Sequence, residues 1–153
     1  MTMPRFATAA MLALGLAMAA IPAVAQPSAT LPRIGYLGAG AANVSIHAGF
    51  RDALRELGWI EGQNIVVDYR FADGRYARLP EYAAELVRRK VDVIVAGPTP
   101  AALAAKHATA TVPIVMFSVG DPVGAGLVAS LARPAGNVTG TTFDVGLETF
   151  TKG

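Results

Sequence analysis

The stretch Val91-Asp92-Val93-Ile94-Val95-Ala96-Gly97-Pro98-Thr99-Pro100-Ala101-Ala102-Leu103-Ala104-Ala105-Lys106 constrains this chain most. It reads as a buried strand, a sharp turn and a helix. Val91 to Val95 is β-branched except for Asp92, and Gly97-Pro98 stops the strand. Thr99 suits the helix N-cap and Pro100 the first helical position, where a missing N–H costs nothing. The alanine-rich run behind them favours helix. A strand feeding a helix start presents unpaired N–H groups and the positive end of the helix dipole, which together suit a carboxylate or another anion.

The same unit repeats along the chain. Arg33-Ile34-Gly35-Tyr36-Leu37 is a strand that ends at Gly38-Ala39-Gly40. Ser45 can cap a first helix whose apolar face is Ile46, Phe50, Ala53, Leu54 and Leu57; Gly58 fits the position past its end, and Trp59 covers its last turn. Ile65, Val67, Tyr69 and Phe71 alternate with Val66, Asp68 and Arg70, which predicts an edge strand with one wetter face. Leu79-Pro80-Glu81 opens a second helix with Leu79, Ala83, Leu86 and Val87 inward. Val112 to Phe117 is a fourth strand, with Pro113 tolerated near its start. Asp121-Pro122 resembles another cap, with a short helix over 125–131, and a fifth strand runs from about Asn137 to Phe143.

Strand-helix alternation of this kind predicts an α/β fold with a doubly wound parallel sheet and right-handed crossovers. An edge second strand fits the flavodoxin-like order 2-1-3-4-5, in which ligands bind outside the carboxyl ends of the strands. Those ends are 38–42, 71–74, 97–100, 118–121 and 141–144.

Residues 1–25 stand apart. Arg5 precedes an uncharged apolar run from Phe6 to Ile21, and Ala23-Val24-Ala25 precedes Gln26. This predicts a secretory signal peptide cleaved after Ala25 and hence a periplasmic protein. Residues 26–32 read as a linker and 33–143 as the folded domain. The chain has no cysteine, which removes disulfides, thiolate metal sites and thiol nucleophiles together. Its formal charge of +2 includes Arg5, so the folded part is near neutral and offers nothing for nucleic acid.

The candidate chemistries are thin. Gly38-Ala39-Gly40-Ala41-Ala42-Asn43 imitates a dinucleotide fingerprint, but Asn43 replaces the third glycine, and neither Asp68 nor Asp73 sits where the ribose-binding acid belongs. No phosphate loop occurs. His47 and His107 lack the spacing of paired metal ligands, and Ser118 lacks a nucleophile elbow. No cofactor and no enzymatic activity are expected; a small nucleotide-dependent enzyme of the doubly wound class is the alternative reading.

Ile34-Gly35-Tyr36-Leu37, Leu57-Gly58-Trp59-Ile60-Glu61-Gly62-Gln63-Asn64-Ile65, Tyr69-Arg70-Phe71-Ala72-Asp73-Gly74, Thr99-Pro100-Ala101-Ala102, Val112-Pro113-Ile114-Val115, Asp121-Pro122-Val123 and Arg133-Pro134-Ala135-Gly136-Asn137-Val138-Thr139-Gly140 follow one another in order. Together they resemble the substrate-binding proteins of bacterial ABC transporters, in the group that includes tryptophan-binding members. The resemblance implies a lobe of a type I periplasmic binding fold, a small solute such as an amino acid or related carboxylate, and an inner-membrane ABC permease as partner. It places the ligand's polar end on Gly97 to Ala101 and Ser118 to Asp121. Thr99 and Ser118 would supply hydroxyls, Ala101 and Ala102 would offer N–H groups to a carboxylate, and Asp121 would border the site. Gly38, Tyr69, Phe71 and Phe143 would line its apolar side, with core packing under the second helix as the other reading of Tyr69 and Phe71. Family members are longer, so the resemblance also implies a truncated, impaired form: the first lobe alone, with 144–153 starting a crossover to a second.

Overall fold

In a computed structural model, residues 30–42 and 45–142 are described; the expected leader, most of the linker, Phe143 and the crossover lie outside them. The elements run β1 (Arg33–Gly38), α1 (Ser45–Glu56), β2 (Val66–Phe71), α2 (Leu79–Arg88), β3 (Val93–Gly97), α3 (Thr99–Ala108), β4 (Ile114–Val119) and β5 (Val138–Thr142), with a single 3-10 turn, Tyr76–Arg78, leading into α2. All five strands are parallel in the order β2-β1-β3-β4-β5, as the strand-helix alternation predicts. None of the described helices is long and apolar enough to cross a membrane.

Strand parity sorts the sheet into two faces. Leu37, Ile94, Ala96, Ile114 and Met116 point towards α2 and α3 and are at most 3% exposed. Leu79, Ala83 and Leu86 of α2 and Ala101, Ala102 and Ala105 of α3 close over them. Gly35 lets this layer close tightly: a Cβ there would lie 3.1 Å from Leu86 Cδ1. Asp68 and Arg70, the polar parity of β2, are not left to solvent. Asp68 pairs with Arg33 at 2.7 Å and Arg89 at 3.3 Å, and Arg70 grips Glu85 of α2 through two hydrogen bonds of 2.9 and 2.7 Å.

The opposite face carries Ile34, Tyr36, Tyr69, Phe71, Val93, Val95, Val115 and Phe117, with α1 over its β1–β2 half. That cover is partial. Phe50 and Leu54 are only half-buried, Leu57, expected inside, is 76% exposed, and Trp59 is 40% exposed. The helix end itself forms as its sequence requires. Gly58, at φ 85°, donates to Arg55 O and Trp59 donates to Leu54 O, the paired bonds of a Schellman stop.

Two local expectations fail. The helix expected over 125–131 is instead a series of turns. Asp121 Oδ1 accepts from Gly124 N–H at 2.8 Å, Pro122 O accepts from both Leu127 and Val128, and Gly126 takes φ 72°. Lys106 of α3 donates to the Gly126 and Leu127 carbonyls, tying the turns down in place of helical bonds. At α3 the N-cap is Pro98 rather than Thr99, which becomes the first helical residue and makes no side-chain cap bond.

Candidate functional site

The carboxyl edge of the sheet is built by close backbone approach. Gly38 of β1 lies beside both Phe71 of β2 and Gly97 of β3. A Cβ on Gly38 would sit 2.8 Å from the Phe71 ring, and one on Gly97 would run into the Phe117 carbonyl. Only glycine permits this packing at either position. The loops above are bonded to one another. Ala39 N–H donates to Gly97 O at 3.2 Å; Ala72, Asp73 and Gly74 N–H donate to Gly38, Gly40 and Ala39 carbonyls at 2.9, 3.1 and 3.0 Å. The β1–α1 loop, the turn after β2 and the β3–α3 turn therefore form one ledge.

Thr99 begins α3 at this ledge, directly after the Gly97–Pro98 turn. The expected roles of Ala101 and Ala102 need correcting. Their N–H groups already donate to Pro98 O at 3.0 and 3.2 Å, and both residues are fully buried. Pro100 has no N–H, so the Thr99 amide and hydroxyl are what the helix start offers outward. Among the described residues no backbone carbonyl accepts from that amide.

Ser118 lies on the neighbouring strand, where the β4–β5 register shifts between Met116 and Val119. Its φ of 53° places a non-glycine residue in the left-handed region, at a cost of about 1–3 kcal/mol. Such irregularities re-aim a side chain at a strand end and cluster where ligands bind. Asp121 stands apart, since its carboxylate is occupied by the Gly124 amide.

Beneath the ledge lies an aromatic cluster. Tyr36 is 1% exposed, and its ring lies 4.9 to 5.8 Å from the rings of His47, Phe50, Tyr69, Phe71 and Phe117. Tyr69 and Phe71 stack at 5.9 Å and belong to the α1 side, so the alternative reading of core packing under α2 is also corrected. Tyr69 sits a full pleat below Phe71, and its hydroxyl donates to Glu61 at 3.3 Å. Burial pushes the Tyr36 hydroxyl up to about 12, with Tyr69 adding to the shift; burial and then Glu61 push Tyr69 up to about 12. Both are neutral donors at physiological pH.

His47, on the first turn of α1, joins this cluster. Its Nε2 is 3.1 Å from Ala41 O and its Nδ1 is 2.9 Å from the Tyr36 hydroxyl. A carbonyl only accepts, so Nε2 carries the proton, and Nδ1 accepts from Tyr36. Phe71 lies 4.3 Å from the imidazole, centroid to centroid.

Of the residues singled out from the sequence, Gly38, Gly97, Thr99 and Ser118 come together on one edge. Tyr69 lies lower on the aromatic face, Asp121 serves a turn, and Phe143 is outside the described residues. From the sequence, His47, Tyr36 and Phe117 read only as helix and strand residues, not as part of a site. The alternating parity shared by Tyr36, Tyr69, Phe71 and Phe117 was the available signal for the cluster, whereas nothing local marked His47. A cavity of about 400 Å³ lined by Arg51, Leu54, Trp59 and Glu61 lies off this edge, at the far end of α1.

The chain matches a family model described as ABC transporter substrate binding protein over residues 39–149. A tyrosine-binding protein of Clostridioides difficile (strain R20291) is 45% identical over 94 residues, covering 61% of this chain and 27% of its own length. Among solved structures, a ligand-free, open substrate binding protein with adhesive properties from Clostridium difficile superposes with a TM-score of 0.73 at 34% identity, covering 77% of this chain and 41% of that one. The ABC domain in complex with L-Trp from Streptococcus pneumonia gives a TM-score of 0.69 at 32% identity, over 74% of this chain and 39% of its own. The chain thus spans about a quarter of the curated relative and two fifths of these structures. Sheet order, the superposed structures and a family match across more than half its length agree: this chain belongs to the ABC transporter substrate binding protein family and has the fold of a type I periplasmic binding lobe.

Proposed function

We propose that this chain supplies one wall of the solute site of an extracytoplasmic ABC importer component, and that the solute is a small molecule, an amino acid or related carboxylate. The observation that carries this is the convergence of Gly38, Gly97, Thr99 and Ser118 on one edge, beside a helix start and above an aromatic cluster. A carboxylate at the start of α3 gains the dipole and the Thr99 donors, and Ser118 adds a hydroxyl. The Phe71 and Phe117 rings flank the two glycines and give the ligand an apolar floor. The relatives with tyrosine and L-Trp in their names support an amino acid as the solute class.

Delivery to the periplasm through residues 1–25, with cleavage after Ala25, and hand-over to an inner-membrane permease complete this reading. Among the described residues none covers the far side of a ligand on the ledge, and two-sided burial supplies much of small-ligand affinity. The chain alone therefore binds weakly, and a chain continued with the C-terminal sequence of the tyrosine-binding relative binds tightly. A thermal-shift screen of the twenty amino acids on both proteins tests this. A shift of the extended protein with at least one amino acid, lost in Thr99→Val, is expected. An extended protein that responds to none overturns the amino-acid assignment.

A further inference from the structure

Among the described residues His47 belongs to no cluster of metal-ligating side chains and forms no ion pair, yet both its ring nitrogens are committed. Nε2–H donates to Ala41 O in the β1–α1 loop, and Nδ1 accepts from the buried hydroxyl of Tyr36 in β1. The imidazole also packs edge-on to Tyr36 and against Phe71. The residue therefore reaches from α1 to the strand below it and to the loop beside it. That loop is the central piece of the ledge. Its Gly38, Ala39 and Gly40 carbonyls hold the turn 72–74, and its Ala39 N–H holds Gly97, next to Thr99. Ala41 O is the next carbonyl in the series, and the histidine is its partner. Ala39 is anchored in the core, but beyond it Gly40, Ala41 and Ala42 give side-chain packing little hold, so hydrogen bonds define the shape of this part of the loop.

We propose that His47 is a positioning residue for ligand binding: by bridging the Tyr36 hydroxyl and the Ala41 carbonyl it fixes the β1–α1 loop and, through the Ala39–Gly97 bond, the place of the α3 start. The ligand part of this rests on the function proposed above; the loop part does not. Two bonds from a rigid ring hold the loop more firmly than the flexible backbone does alone, and small displacements at a binding edge cost affinity steeply.

Amide exchange and calorimetry separate the two parts. The probes are L-tyrosine and L-tryptophan, on the full chain extended as above. In His47→Leu, which keeps apolar bulk but neither bond, exchange at Asp73 and Gly74 N–H accelerates by about tenfold, while Ile94 and Met116 stay protected, as local opening requires. The dissociation constant for whichever probe binds rises by a similar factor. His47→Gln, whose amide can accept from Tyr36 and donate to Ala41, restores both to within about threefold. Should His47→Leu fail to fold, Tyr36→Phe, which deletes the Nδ1 bond alone, gives about threefold faster exchange at the same two amides. Unchanged exchange at Asp73 and Gly74, uniform acceleration across the sheet, or a glutamine variant as impaired as leucine each overturns the proposal. Affinity left unchanged while exchange accelerates overturns its ligand part. A parent protein that binds neither probe counts against the function proposed above, and the exchange arm still decides the role of His47 in the loop.

Discussion

The two faces of the sheet are finished to different degrees. On the α2–α3 side, Leu37, Ile94, Ala96 and Ile114 are fully buried under two helices, and the polar parity of β2 is locked into ion pairs. On the α1 side, α1 is the one helix among the described residues; it has no fully buried residue among those described and covers half the sheet, and Val115 of β4 is 37% exposed there. The first face is aliphatic, whereas the second sets its valines and isoleucine beside an aromatic cluster threaded with hydroxyl and imidazole hydrogen bonds. On the function proposed above, stability resides in one and recognition in the other. A closed aliphatic layer maximises burial, while polar-tipped rings beside an open edge can meet a ligand.

The comparison breaks most visibly at Leu86. Leu86→Ala opens a cavity between α2 and Gly35 and costs about 2–5 kcal/mol, read from urea unfolding. A loss under 1 kcal/mol would show that this face is not the main store of stability. Gly97→Ala presses a methyl group onto the Phe117 carbonyl and costs about 1–3 kcal/mol, with the change in amide exchange concentrated in the β3–β4 edge.

Acid sharpens the ion-paired margin. Arg70 holds the Glu85 carboxyl down to about 2 from its ordinary 4.5, through their hydrogen bonds first and their charges second. A depressed carboxylate binds its proton more readily in the unfolded chain. Its contribution is therefore complete above pH about 4.5 and fades as pH falls towards 2. Arg70→Met flattens the stability profile across that window, measured by urea midpoints from pH 2 to 6. The smallest effect belongs to the loosely covered face. Leu57→Ser, at a side chain 76% exposed, changes stability by no more than about 0.5 kcal/mol.

Much of the architecture was legible because its signals are local. The β-branched run before Gly97-Pro98, the alternation of 65–71 and the glycine after α1 each specify their element through backbone sterics and burial period. Strand order followed from the alternating elements and the half-polar second strand. Legibility stopped where one local signal competed with a contact from elsewhere. The turns at 122–128 replace a helix because Asp121 caps inward, Gly126 takes positive φ and Lys106 arrives from α3. Thr99 yields the cap position to Pro98, and Ala101 and Ala102 spend their amides on Pro98 O instead of a ligand.

By itself the sequence determined the strands and most of the helices, the parallel sheet, the family and the four edge residues Gly38, Gly97, Thr99 and Ser118. Only the tertiary structure decided which parity of β2 faces which helix, putting Tyr69 and Phe71 beside Tyr36 and sending Asp68 and Arg70 to α2's side. Alternation shows that a strand has two faces, but the hand of the crossover chooses which helix lies over each. The role of His47 has the same origin. Its partners lie on β1 and in the loop before α1, and only the folded chain brings the Tyr36 hydroxyl and the Ala41 carbonyl within reach of one ring.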